Sequence, residues 1–136
     1  MIQEIKSEEF APNVLAFDLS GEFSWKMIFQ IKDIVKENLM ANNNPIKVFL
    51  RIDRLTFPHT NADLIFNSEE GKKYYTHRDN GLLKKIEKLV IVGNSPFKEI
   101  IIGMDILMNK LSLPFEWNES YFNIKDYNKA IQHINK

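Results

Sequence analysis

The sequence predicts a single α/β domain built on a central, largely parallel sheet. Three observations carry that reading. Short apolar runs of strand length alternate with longer segments whose apolar residues recur at the helical period. Leu89 to Val92 is uniformly apolar, as a strand covered on both faces must be. Turn residues, Ser20-Gly21 and Gly93-Asn94, separate strands from the helices that follow them.

The elements follow in order. Ile2 to Ile5 and Val14 to Leu19 read as two strands, a hairpin at a sheet edge, closed by Ser20-Gly21. Ser24 is placed to cap a helix running to about Met40, with Met27, Ile28, Ile31, Ile34, Val35 and Leu39 on its inner stripe. Asn42-Asn43-Asn44-Pro45 is a turn, because Asn tolerates left-handed backbone and Pro cannot continue a helix. Ile46 to Ile52 is the next strand, and a loop follows from Asp53 to Thr60. A more polar helix is expected over Asn61 to His77. After the strand at Leu89 to Val92, Ser95 and Pro96 open a helix that turns Phe97, Ile100, Ile101, Met104, Leu107, Met108 and Leu111 inward. Phe115 to Trp117 reads as a short fifth strand. Asn123 then caps a last helix with Ile124, Tyr127, Ala130, Ile131 and Ile134 on its inner stripe. The order is ββαβαβαβα: about five strands and four helices, with right-handed crossovers expected between parallel strands.

Composition narrows the class. A chain of 136 residues fits one domain spanning residues 1–136. At this size a fold buries roughly 68% of the surface its unfolded form exposes, so no covalent staple is needed. Cysteine is absent, which excludes disulfides, thiolate catalysis and thiolate zinc sites and fits a reducing, cytoplasmic compartment. The 18 Lys and Arg residues balance 18 Asp and Glu residues, so nothing points to nucleic acid. Runs such as Ile100-Ile101-Ile102 are far too short to span a membrane, and Met1-Ile2-Gln3-Glu4 does not open like a signal peptide.

Taken in sequence, several motifs resemble the SpoIIAA-like group of the STAS superfamily. Leu19-Ser20-Gly21-Glu22 ends a strand before the first helix, and another strand ends at Ile52-Asp53. Lys88-Leu89-Val90-Ile91-Val92-Gly93-Asn94 is similar to that group's I-A-V-V-G-D strand and turn. Phe115-Glu116-Trp117 precedes a C-terminal helix. The resemblance runs from about Val14 to Lys136. It implies a SpoIIAA/STAS-like mixed sheet and a module that binds protein partners. In bacterial anti-sigma antagonists such modules are switched by serine phosphorylation at the helix after the strand placed here at Ile46 to Ile52. In this chain Ala62 and Asp63 stand about where those serines would be, so the antagonist switch does not transfer. Thr60 is the nearby hydroxyl and the residue a phosphorylation-controlled regulator would use.

Each candidate site has a plainer reading beside it. Gly93, Asn94 and Ser95 lie where a strand meets a helix N-terminus, a place suited to an anion, although an ordinary capped turn explains the same residues. His59 and Asp63 are four apart, and His77-Arg78-Asp79 clusters three polar groups. Neither has the converging ligands of a metal site, and no nucleophile accompanies either histidine, so no metal, cofactor or catalytic residue is assigned. Asp18, Arg51 and Asp53 lie on or just after strands; they could pair across the sheet or stand half-solvated at strand ends.

The remaining signal is spare apolar surface. Ile102 and Ile106 are four apart, opposite the inner stripe of their helix, and Trp25, Phe29 and Met40 widen the apolar arc of the first helix. Such patches mark contacts with partners, lipids or ligands unless the chain covers them itself. The function expected is a non-enzymatic STAS-like binding module, a homodimer in its simplest form, contacting a protein partner or a lipophilic ligand. The alternative is a small-molecule enzyme with a pocket at the carboxyl ends of the strands near Asp53, His59 and Gly93-Asn94.

Overall fold

The computed structural model describes residues 1–41, 44–56, 69, 86–94 and 119–136. Five strands form one sheet: β1 (Ile2–Glu4), β2 (Val14–Glu22), β3 (Ile46–Thr56), β4 (Ile86–Gly93) and β5 (Glu119–Asn123). Their spatial order is their chain order. β1 runs antiparallel to β2, and every later neighbour pair is parallel. The expected edge hairpin and parallel body are therefore both present.

Strand alternation divides the side chains between two layers. On one side Phe17, Leu19, Val48, Ile52, Leu89 and Ile91 meet helix α1 (Trp25–Ala41) through Met27, Ile31, Val35 and Leu39. These helix positions repeat at three or four residues, so they share one face, and each buried side chain stabilises the fold by about 1.5–3 kcal/mol relative to exposure. On the other side Ala16, Phe49, Val90 and Val92 meet helix α2 (Tyr127–Asn135) through Ala130, Ile131 and Ile134. The expected inner stripes of both helices are the observed ones. Asn123 Oδ1 accepts from the Lys125 amide at 3.0 Å and starts the 3-10 turn Ile124–Asp126 that leads into α2.

Several boundaries differ from expectation. β2 does not stop at Leu19: Ser20, Gly21 and Glu22 continue to pair with Arg54, Leu55 and Thr56. Gly21 takes a φ of +86°, a left-handed value that only glycine adopts without strain. β3 likewise runs on to Thr56, so Asp53, expected to open a loop, is a strand residue. The described strand before α2 is Glu119–Asn123. The strand expected at Phe115 to Trp117 lies outside the described residues, as do the helix after Ser95 and, apart from Glu69, the helix over Asn61 to His77.

One irregularity positions the site. Asp18 pairs in register with Arg51, but the next matched pair is Ser20 with Arg54. β2 advances past Leu19 alone while β3 advances past both Ile52 and Asp53. This is a bulge in β3, which is rare between parallel strands. Beyond it Leu55 returns to the α1-side core. Arg54 is thereby turned to the opposite side, where Asp18 lies.

Candidate functional site

The carboxyl ends of β2, β3 and β4 carry a compact group of charged and polar side chains on the α2 side. Asp18 is 9% exposed, and its Oδ2 accepts a hydrogen bond from Nη2 of Arg54. Arg51, the register partner of Asp18, bonds Asp53, two residues along its own strand. Nε donates to Oδ1 at 2.7 Å and Nη2 to Oδ2 at 3.4 Å. Residues two apart on a strand share a face, so this pair needs no crossover. The Arg51 guanidinium lies 5.1 Å from the centre of the Tyr127 ring, within cation–π range.

β4 joins the group through its last turn. Asn94 Nδ2 donates to the Asp53 carbonyl at 3.0 Å, and the Tyr121 hydroxyl donates to the Asn94 carbonyl at 2.7 Å. Gly93 lets the strands come this close. A Cβ at Gly93 would sit 2.7 Å from Ile52 Cγ1 and 3.1 Å from the Tyr121 hydroxyl.

The electrostatics follow from these contacts. The hydrogen bond to Asp53 raises the Arg51 pKa above its usual value against the opposing effect of burial, with the charges of Asp53 and Asp18 adding to the rise. Burial raises the Tyr127 phenol, and Arg51 offsets part of that rise. Burial alone raises Tyr121. The group can therefore offer guanidinium donors, carboxylate acceptors and a protonated phenol to a polar partner. Among the described residues, no three His, Asp or Glu side chains converge to hold a metal ion.

Of the expected site residues, Asp53, Gly93 and Asn94 do come together. His59, Thr60 and Ser95 lie outside the described residues, as do Ile102 and Ile106. Trp25 does not widen an open apolar arc. It is 4% exposed, packed edge-on against Phe23 with ring centres 5.4 Å apart. Phe29 is half-buried and leans on the α1-side core, whereas Met40 is 77% exposed. Sequence reasoning missed Arg54 and Tyr127. The signal for Arg54 was present in β3, where Ile52 and Leu55 are three apart and period two is broken.

No protein-family model and no curated protein matches the chain. A solved structure does: an uncharacterised DUF3478-family protein with a SpoIIAA-like fold from Shewanella loihica PV-4. The two share 14% sequence identity and superpose with a TM-score of 0.56 over 98% of this chain and 92% of the other. The sheet order, the two helical layers and this superposition agree on one architecture: the chain has a SpoIIAA-like fold.

Proposed function

We propose that the chain is a non-enzymatic, STAS-like binding module that receives a protein partner at the carboxyl ends of β2, β3 and β4. The observation that carries this reading is the pairing of each carboxylate with an arginine, Asp18 with Arg54 and Asp53 with Arg51. Carboxylates tied to guanidinium groups suit recognition better than proton transfer. Their position, in the C-terminal halves of the parallel strands β2 and β3, is towards the end of the sheet at which open α/β sheets engage ligands. A cytoplasmic setting belongs to the same reading, supported by the cysteine-free composition. No helix among the described residues is long and apolar enough to cross a membrane. Homodimer formation through Ile102 and Ile106 remains part of the proposal and is read from the same experiment.

Native mass spectrometry of protein purified from its own cells tests the reading. A protein partner should be retained by the wild type and lost from the Arg51→Gln/Asp53→Asn variant. Recovery of the chain with no protein attached, or equal retention by the variant, would refute it. A mass of two chains would identify the partner as a second copy.

A further inference from the structure

Among the described residues, Asp18 Oδ1 is a buried side-chain oxygen with no hydrogen-bond partner. A buried acceptor left unmade is costly, so its presence calls for an explanation. Arg51, the register neighbour, has committed its Nε and Nη2 to Asp53. Arg54 meets only Oδ2, and its side chain is 60% exposed against 11% for Asp18. A buried carboxylate is thus half-served by an arginine that stands mostly in solvent, and one of its two oxygens is left without a donor. One guanidinium presented in parallel would satisfy both oxygens. Charge balance points the same way. Asp18 and Asp53 stand against Arg51 and Arg54, so displacing Arg54 would leave one negative charge for an incoming cation to balance.

We propose that Asp18 is the receptor for an arginine side chain of the protein partner, and that Arg54 is the internal stand-in it displaces. The inference rests on the binding-module reading and names the chemistry of that contact. Asp18 supplies two acceptors in a site largely shielded from water, and the group displaced is the exposed Arg54.

The test uses the full ¹⁵N-labelled chain titrated with N-acetylarginine amide, with N-acetyllysine amide and free arginine as controls. Saturable shifts are expected at the Asp18 and Arg54 amides with the blocked arginine and weaker ones with the lysine compound, which cannot bond both oxygens in parallel. Arg54→Gln removes the competitor and should tighten binding by roughly threefold or more, since the open site is then no longer a minority state. Asp18→Asn keeps the shape and should abolish binding. Absence of saturable shifts in both the wild type and Arg54→Gln would overturn the proposal, as would equal binding by Asp18→Asn. Free arginine binding more tightly than the blocked form would overturn the assignment to a protein side chain. If the partner seen by native mass spectrometry stays bound to Asp18→Asn, the binding module stands and this inference falls.

Discussion

Arg54 reaches Asp18 although Arg51, three residues earlier, is the one in register with it. The bulge at Ile52 and Asp53 produces this exchange of partners. It leaves Arg51 for Asp53, and it puts two arginines and two acids on one side of the sheet where strict alternation would have divided them. The two arginines differ in exposure, but each serves a carboxylate that is largely buried. Arg51→Ala removes paired hydrogen bonds and a cation–π contact and leaves Asp53, 15% exposed, without its partner. It should cost about 1–3 kcal/mol. Arg54→Ala removes a mostly exposed arginine but leaves Asp18, 11% exposed, without its donor, and it should likewise cost about 1–3 kcal/mol. Urea denaturation midpoints at constant m-value measure both losses, and a wild-type midpoint in either variant would contradict the geometry.

Gly93→Ala should destabilise the fold by about 1–3 kcal/mol through overpacking. Its Cβ would press on a branch carbon of Ile52, which is 3% exposed and has no room to withdraw. A thermal midpoint equal to that of the wild type would show that β3 and β4 are not this close.

Phe49 is fully buried in the middle strand, with Phe10 and Tyr127 rings at 4.9 and 5.8 Å. Phe49→Ala should cost about 3–5 kcal/mol. It should also free the Phe10 segment, which Asn135 clasps by donating to the Glu9 carbonyl at 2.7 Å and accepting from the Ala11 amide at 2.9 Å. Amide exchange at Ala11 reports the second effect, and unchanged protection there would separate the segment from this core.

His133 on α2 lies beside Ser120 at 3.2 Å and packs on Phe122. Burial, followed by the charges of Lys88, Lys136 and Lys47, lowers its pKa below the ordinary 6.5. A histidine depressed in the folded state binds fewer protons there than in the unfolded chain. Its contribution is intact above about 6.5 and is lost as pH falls below that value. Stability should decline as pH falls below about 6.5, and His133→Gln should flatten that slope. A slope unchanged in the variant would assign the decline to other groups.

The layers of the fold were readable because they depend on period alone. Met27, Ile31, Val35 and Leu39 mark α1, Ala130, Ile131 and Ile134 mark α2, and Leu89 to Val92 mark a strand covered on both faces. Strand ends were not readable for equally local reasons. Ser20-Gly21 has the chemistry of a turn, yet the glycine serves a left-handed residue within β2. Ile52 and Leu55 break alternation, which conceals a strand that continues through a bulge. The site was half-legible. Asp18, Arg51 and Asp53 stood out as charges on strands, but their pairing depends on a register that no single strand encodes. Trp25 illustrates the opposite error: an aromatic at a helix start suggested an open surface, and Phe23 folds over it.

The recognition edge itself is tested most directly by chemical-shift mapping of the retained partner on the ¹⁵N-labelled chain. The perturbed amides should gather at Asp18, Arg51, Asp53, Arg54 and Asn94. Perturbations centred instead on the outer face of α1, around Lys26, Asp33 and Met40, would contradict the account.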